Sequence, residues 1–424
     1  MSEAVERDRR SDALWRDRDF RRLWIGYTAS QLGTQSSQLT LPLVAVVALG
    51  VEADQVGLLR AVQQVPILLF SLFVGAWVDR WRRRNVLVAA DLARAITLAA
   101  VPAAYLLGVL GVAPLYVVGF LVGVFSVFFD VAYQAYLLRL VDRDRLMRAN
   151  SVLEGSRSAA QMGGPALGGG LVSLLTAPVA VLASALFYLV SILSIMRIRR
   201  PEPEPEPVDR GVGLLGQVRA GLGVVARDPS LRAIAVVSGS YNVGFAAFIT
   251  VYLLYLPREL NLSGAAVGLC MAALGPGALV GSLLAVRLPA RWGYGVVVVA
   301  AAVIGDGVLL TVGALRGSGP GTVAQLVAVN LVFGAFTQTV NVVVNTIRQA
   351  VTPDDFQGRV AATIRFGGLG LTPLGSLLGG YLGQHLDLRP SVLLTAAALC
   401  LGPVLMVRSP LARIGRDLPA PIRR

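Results

Sequence analysis

The stretch GAWVDRWRRRNVL, residues 75–87, carries one aspartate and four arginines between two long apolar segments. A helix that crosses the hydrocarbon core of a bilayer needs about 20 predominantly apolar residues, and each flanking segment is long enough. Arginines concentrate in the loops that face the cytoplasm. The stretch therefore predicts a tight cytoplasmic loop between two membrane-spanning helices.

The composition of the whole chain is also typical of a membrane protein. Of the 424 residues, 55% are hydrophobic and only 15% are charged, whereas a soluble chain carries about 25% charged residues. All 38 basic residues are arginine, and the net charge is +13. These arginines lie between apolar segments rather than on one basic face, so we expect the lipid bilayer and not nucleic acid as the partner.

Residue types that carry chemistry are scarce. Without lysine the chain cannot form a Walker A phosphate loop or a lysine Schiff base. Cys270 and Cys400 lie inside apolar segments, and His385 is the single histidine, so disulfides and metal clusters are not expected. The N-terminus is hydrophilic and lacks a signal-peptide pattern. We expect no cofactor, no metal and no catalytic residue.

The apolar segments number twelve, which predicts an all-α integral membrane protein with twelve transmembrane helices. They lie at about 23–49, 56–79, 86–109, 113–138, 149–175, 178–196, 232–256, 263–286, 294–315, 321–347, 358–384 and 390–407.

The arginines predict the orientation of these segments. Seven lie in the N-terminal tail, and further clusters follow the second, fourth and sixth segments. The alternate loops hold only Arg258, Arg316 and Arg389. Because short cytoplasmic loops carry the excess of arginine, we expect a multi-pass protein of the plasma (inner) membrane with both termini in the cytoplasm.

The middle loop is the longest and opens with RRPEPEPEPVDR, residues 199–210, a pattern typical of an extended solvated spacer. Apolar residues at helical spacing follow at Leu214, Leu215, Val218, Leu222 and Val225, which predicts a short amphipathic helix on the membrane surface. The predicted domains are a cytoplasmic tail at 1–22, a six-helix half at 23–196, a linker at 197–231, a second half at 232–408 and a tail at 409–424.

The two halves repeat each other. Shifting the sequence by 211 residues aligns polar residues and glycines across several segments, which indicates a duplication. Two six-helix halves in parallel repeat are the plan of a secondary transporter with its site between the halves. The aligned pairs are Gly33/Gly244, Gly123/Gly334, Phe125/Phe336, Asp130/Asn341, Gln134/Asn345, Arg148/Arg359, Gly164/Gly375, Gly168/Gly379 and Gly169/Gly380.

The loop at 75–87 resembles the signature loop of the major facilitator superfamily. The residues that carry the resemblance are Gly75, Asp79, Arg80, Arg83 and Arg84, while Arg82 replaces the usual second glycine. The stretches FFDVAYQAYLLRLVDRDRLMRANSVLEGSR (128–157) and GGPALGGGL (163–171) are similar to the branch of macrolide-efflux and enterobactin-exporter-like proteins. The resemblance implies a twelve-helix transporter that works by alternating access.

The resemblance also implies a conformational latch. Asp79 would pair with arginines and helix ends in one state and release them in the other. Asp91 and Arg94 would join the latch, although their spacing of one turn equally fits a local structural pair.

Five ionisable residues inside the predicted spans are candidates for proton coupling or for a gate. Charges within a span usually face a cavity or a partner, and a shielded carboxylate can exchange a proton near neutral pH. The coupling ion expected is therefore H⁺, while structural ion pairs are the alternative interpretation. These residues are Asp130, Glu154, Arg157, Asp306 and Arg365.

Uncharged polar residues and glycines mark further positions inside the bundle. Polar stripes predict a substrate cavity, although amides also hold helices together, at about 0.6–2 kcal/mol each. The cavity candidates are Gln31, Thr34, Gln35, Gln38, Arg60, Gln63, Gln64, Tyr133, Gln134, Tyr241, Asn242, Gln338, Asn341 and Asn345. The residues predicted to allow close helix packing are Gly164, Pro165, Gly168, Gly169, Pro373, Gly375, Gly379 and Gly380.

The function that these features favour is proton-coupled efflux of an amphipathic small molecule such as a drug, an antibiotic or a siderophore-like compound, by a monomer. An importer of the same fold is the alternative. A membrane-embedded enzyme would need catalytic residues in a substantial loop, which the sequence lacks. The membrane subunit of an ATP-driven pump would need a separate nucleotide-binding partner.

Overall fold

The computed structural model of the chain describes residues 14–78, 80–142, 145–202, 223, 225–352 and 357–418. Within these ranges the chain is helical and contains no strand. Eight of the described helices are long and apolar enough to cross a membrane. These observations confirm the predicted all-α membrane fold.

The described helices form twelve consecutive helical segments, which fall into two groups of six. The first half contains α1 (Arg18–Leu43), α2 (Ala53–Val78), α3 (Arg83–Leu106), α4 (Val112–Leu140), α5 (Leu146–Leu174) and α6 (Ala177–Met196). The second half contains α7 (Pro229–Arg258), α8 (Gly264–Trp292), α9 (Tyr294–Ala314), α10 (Pro320–Val351), α11 (Gln357–Gly370, continued as Thr372–His385) and α12 (Leu388–Val407). The predicted amphipathic helix of the linker lies almost wholly outside the described residues.

Helix starts follow the repeat. Four helices of the first half begin 211 residues before their counterparts in the second half. The pairs of first residues are Arg18/Pro229, Ala53/Gly264, Arg83/Tyr294 and Ala177/Leu388.

The same N-cap opens both halves. The Asp17 carboxylate accepts hydrogen bonds from the backbone N–H groups of Asp19 (2.8 Å) and Phe20 (3.2 Å). The Asp228 carboxylate, again 211 residues later, accepts one from Leu231 (2.7 Å). Such caps satisfy donors that the first helical turn leaves unpaired. The duplication therefore extends to the local chemistry that starts each half.

Three hydrophobic cores hold the bundle together. We define the inner end as the end where α1 begins and α12 finishes, and the outer end as the opposite one. One core at the outer end contains residues of both halves, from Leu39 to Leu399. At the inner end there are two cores, one built from the first half and one from the second. The halves are thus joined at the outer end and separate at the inner end.

Two helix crossings make the outer junction, α2 on α11 and α5 on α8. At the first, a Cβ placed on Gly57 would lie 2.7 Å from the Cα of Gly380. At the second, a Cβ on Gly169 would lie 2.6 Å from the Cα of Gly268. Gly57 matches Gly268 and Gly169 matches Gly380 at the offset of 211. The two crossings are therefore equivalent, since each joins one glycine of the first half to the repeat counterpart of the other. Glycine is required because the backbones touch.

Candidate functional site

The two cores at the inner end share no residue, and we interpret the space between the halves at that end as a cleft. Asp130 and Gln134 are exposed on α4, and Asn341 is exposed on α10 at the position equivalent to Asp130. The Asn345 amide donates hydrogen bonds to the backbone oxygen (2.9 Å) and the side-chain oxygen (2.6 Å) of Asn341. Polar groups of both halves are therefore exposed at equivalent positions of α4 and α10, and their place in a substrate cavity stays a prediction.

The arginines of the loop at 75–87 bind the end of the first half. The Glu202 carboxylate accepts hydrogen bonds from the backbone N–H groups of Arg83 (2.8 Å) and Arg84 (3.2 Å), and it lies 3.7 Å from the Arg83 guanidinium. The Arg84 guanidinium donates to the carbonyl groups of Ile195 (3.3 Å) and Met196 at the end of α6. These contacts cap α3 and fix the point where the linker leaves the half.

The other latch candidates of this loop are only partly described. Gly75 lies in α2 and Arg80 is exposed in the following turn. Asp79 lies outside the described residues, so its latch role stays a prediction. Glu202 gave no signal of its own in the sequence, because it belongs to the proline–glutamate repeat that is typical of a spacer.

Asp91 and Arg94 form a buried ion pair inside the first half. Ser30 donates to the Asp91 carboxylate (3.1 Å), and the Arg94 guanidinium donates to Asp91, to Ser30 (3.0 Å) and to Thr34 (3.3 Å). The charged group is also sandwiched by aromatic rings, with their centres 4.5 and 4.4 Å from its central carbon. These rings belong to Phe129 and Tyr188.

This polar pocket lies between α1, α3, α4 and α6. Each contact given above for the pair comes from the first half, so in this conformation the pair ties together the helices of one half. The arrangement is that of the local structural pair considered as an alternative to the latch.

An acidic and aromatic cluster lies nearer the inner end of the first half. The rings of Tyr27 and Tyr133 are stacked, with centres 4.1 Å apart. Asp130, Glu154 and Arg157 lie close enough to act on both rings electrostatically. Glu154 and Arg157 are joined at 2.8 Å, with 62% and 38% of their side chains exposed. Unlike the shielded carboxylates that the sequence suggested, Asp130 and Glu154 are exposed.

Asp306 has the opposite environment. It lies in α9 with only 4% of its surface exposed. Its carboxylate faces Gly402 of α12, where an added Cβ would lie 3.8 Å from an Asp306 oxygen. Arg365 lies in α11, and its side chain is not among the described ones. The structure thus separates Asp306 from Asp130 and Glu154, which lie in the other half.

The polar stripe predicted on α1 is divided between two environments. Gln31 is buried, Thr34 belongs to the Arg94 pocket, Gln35 packs on Gly164, and Gln38 is exposed. The stripe therefore does not form one continuous lining of the cleft.

The stripe on α2 lies at the outer junction. Gln63 packs on Gly119 of α4, and Gln64 donates across to Ser376 of α11 at 3.4 Å. Arg60 lies one helical turn before them on α2 and is partly buried, with no acidic partner among the described residues. Gln64 is therefore a direct polar contact between the halves.

The remaining cavity candidates lie on α7 and α10. The Asn242 amide donates to the Ser238 carbonyl (2.7 Å), and Tyr241 stacks on Phe245 with ring centres 5.8 Å apart. Gln338 is partly buried on α10. Tyr241 faces the interior of the second half rather than the cleft, because its ring lies near Asp306.

The glycines predicted to allow close packing do contact neighbouring helices. Gly164 and Gly168 lie against α1, and Gly375 and Gly379 lie against α7. Gly169 and Gly380 make the two outer crossings. Pro165 and Pro373 lie in the same helical segments, α5 and α11.

Polar contacts close the outer end beyond the glycine crossings. Gln384 at the end of α11 donates to the Glu52 carboxylate (2.7 Å) and accepts from the backbone N–H of Ala53 (3.2 Å). The Arg258 guanidinium at the end of α7 donates to the Val51 carbonyl. Each of these contacts joins the two halves. Sequence spacing gave no signal for them, because the partners are more than 200 residues apart.

Comparison with protein families gives one match along nearly the whole chain. A family model described as transmembrane secretion effector matches residues 11–421.

Curated relatives of the chain include bacterial transporters. The multidrug efflux pump Tap of Mycobacterium tuberculosis (strain ATCC 25618 / H37Rv) is 27% identical over 380 residues, which cover 85% of this chain and 86% of that protein. Tap of Mycolicibacterium fortuitum is 28% identical over 359 residues, covering 80% and 83%. The uncharacterized MFS-type transporter YvqJ of Bacillus subtilis (strain 168) is 24% identical over 380 residues, covering 88% and 87%.

Solved structures share the fold at low sequence identity. A bacterial homologue of the iron transporter ferroportin in an inward-facing state gives a TM-score of 0.71 at 16% identity, with 92% of this chain and 98% of that chain covered. The nucleoside transporter NupG gives a TM-score of 0.71 at 12% identity, covering 92% and 99%.

Proposed function

Because the chain belongs to the transmembrane secretion effector family of the major facilitator superfamily, we propose that it is a proton-coupled exporter of an amphipathic small molecule. The chain is a transporter of this superfamily, and its curated relatives include multidrug efflux pumps. The observation that carries the proposal is the asymmetry of the bundle: the halves meet at the outer end and separate at the inner end.

This asymmetry supports alternating access. The outer crossings are built from glycine backbones and a few polar contacts, and opening them also divides the hydrophobic core that the two halves share at that end. The inner cores belong to one half each, so the halves can approach there. A rocking motion between two such arrangements exposes one site to each side of the membrane in turn.

Exposed polar groups support a substrate that forms hydrogen bonds: Asp130 and Gln134 lie on α4, and Asn341 lies on α10. The stacked Tyr27 and Tyr133 rings are buried in the core of the first half, so they support α4 and do not contact the substrate. A few polar groups of this kind fix the orientation of a bound molecule, whose apolar parts contact the surrounding side chains. A drug, an antibiotic or a siderophore-like compound has this chemistry.

The proposed orientation places the inner end, and both termini, in the cytoplasm of a cell with this protein in its plasma membrane. Arginine clusters at Arg80–Arg84 and Arg197–Arg200 lie at that end. We further propose a monomer, since the cleft lies within one chain.

A reporter fused after Arg424 should signal from the cytoplasm, and one inserted near Gly111 should signal from outside; the reverse pattern would refute the orientation.

The proposed function is tested by efflux of a fluorescent amphipathic cation, ethidium, from cells that lack their own efflux pumps. Cells that make the chain should lose preloaded ethidium faster than cells that make an inactive variant, and an ionophore that collapses the proton gradient should remove the difference. Faster accumulation instead of faster loss would indicate an importer. An unchanged rate for ethidium and for a panel of amphipathic drugs would contradict the proposal.

A further inference from the structure

The Arg94 pocket of the first half has a counterpart in the second half. Its hydroxyl-bearing wall consists of Ser30 on α1, Ser126 on α4 and, beside Asp91, Ser191 on α6. The residues 211 positions later are Tyr241 on α7, Thr337 on α10 and Gly402 on α12. The counterpart pocket therefore lies between α7, α9, α10 and α12.

Asp306 occupies this counterpart pocket. Its oxygen lies against Gly402, and Tyr241 is close enough to interact with both Asp306 and Thr337. Gly305, the residue that matches Arg94, packs directly on α10, where an added Cβ would lie 3.1 Å from Phe336. The second half has thus replaced the arginine by glycine and placed a carboxylate one residue later.

The two pockets differ in charge balance. In the first half the Asp91 carboxylate is neutralised by Arg94. In the part of the chain that the structure describes, no arginine lies within ion-pair distance of Asp306, and the titratable groups that face it are Tyr241 of α7 and Cys400 of α12. A carboxylate removed from water without a cation costs several kcal/mol, and binding a proton removes this cost. The charge on Asp306 therefore depends on a proton.

Two of the four helices around Asp306, α9 and α12, are interrupted, unlike their counterparts. α9 changes from α-helix to 3₁₀-helix at Leu309, three residues after Asp306, and α12 is broken at Cys400. The matching helices α3 and α6 are continuous. The 3₁₀ segment ends α9, and the break in α12 comes just before Gly402, the neighbour of Asp306, so the helical hydrogen bonding near the carboxylate is irregular in both helices.

We propose that Asp306 binds and releases the exchanged proton, and that its protonation sets the balance between the inner-open and outer-open conformations. The Arg94 pocket is then the permanently neutralised counterpart that holds the first half rigid. This inference rests on the proposed function, since it names the residue that performs the coupling.

The test measures conformation and needs no substrate. Spin labels are attached to cysteines introduced at Gly155 of α5 and Gly367 of α11, which lie in the inner parts of the two halves with open space around them. Both native cysteines are replaced by alanine. In the full chain in lipid nanodiscs, the ratio of short to long distances should change at least about fivefold across the pH range around neutrality.

Variants show whether the pH dependence of the distance distribution comes from Asp306 or from another carboxylate. Asp306→Asn should show the low-pH distance distribution at every pH, and Asp306→Glu should restore the pH dependence. Asp387→Asn, which removes an exposed carboxylate of the same half, should behave like the parent. A full pH dependence in Asp306→Asn, or its absence in the parent, would overturn the proposal. If Asp306→Asn does not fold, loss of the pH dependence in Asp306→Glu would overturn it as well.

A second measurement distinguishes this inference from the proposed function. In everted membrane vesicles, Asp306→Asn should lose ethidium uptake driven by a pH gradient but keep ethidium exchange at equal concentrations. If the parent moves no ethidium in either assay, the proposed efflux of such cations is wrong, while the spin-label result still decides the role of Asp306.

Discussion

Replacing Arg94 by methionine is expected to lower the free energy of unfolding by about 3–5 kcal/mol, because the Asp91 carboxylate is then buried without its cation. The two side chains are 1% and 0% exposed, so solvent cannot compensate for the lost charge. The purified chain in detergent micelles should unfold at a lower denaturant concentration than the parent. The double variant Asp91→Leu, Arg94→Met should be more stable than either single variant, since an apolar pair leaves no charge unpaired.

The chain contains a matched control for this experiment. Glu154 and Arg157 have the same acid-to-arginine spacing and also form an ion pair, but they are exposed. Arg157→Met is expected to change the free energy of unfolding by about 0–1 kcal/mol. Equal effects at Arg94 and Arg157 would mean that the Asp91–Arg94 pair does not hold the first half together.

Leucine at Gly169 is expected to abolish transport and to shift the chain toward the outer-open conformation. A Cβ at this position would contact the Gly264 carbonyl and lie 2.6 Å from the Cα of Gly268, so the α5–α8 crossing cannot close. Overpacking of this kind costs about 1–3 kcal/mol. A coupling of that size changes the ratio of the two conformations by about 5–150-fold.

Opening of the outer end in Gly169→Leu is measured at the other crossing, between α2 and α11. Ser376 is fully buried on α11 beside Gly57, so a cysteine at Ser376 should react slowly with a membrane-impermeant maleimide in the parent and much faster in Gly169→Leu. Gly170→Leu is the control, because an added Cβ at Gly170 meets no atom within 4 Å. Slow labelling and normal transport in Gly169→Leu would show that the glycine crossing is not needed for closure.

The fold was predictable because its signals are local. A run of about 20 apolar residues specifies a membrane helix wherever it lies. The repeat was visible as glycine and polar matches at one offset, and the helix starts at Ala53 and Gly264 now follow that offset.

The candidate site was predictable only as a set of residues. Spacing along one helix does not determine which face meets the cleft, a neighbouring helix or lipid. Asp130, Glu154 and Asp306 look alike in the sequence, yet the first two are exposed and Asp306 is buried. Glu202, which binds Arg83 and Arg84, looked like part of a solvated spacer.

By itself, the sequence determined the membrane-spanning helices and the twofold repetition, because each depends on residue type and on distance along the chain, and the loop at 75–87 carried the resemblance to the superfamily. Only the tertiary structure decided which end of the bundle is closed and which charges are paired. Both depend on contacts between the two halves or between distant helices, such as Gly57 with Gly380 and Gln384 with Glu52. The same is true of the Arg94 and Asp306 pockets, whose equivalence emerges only when four separate helices come together around each of them.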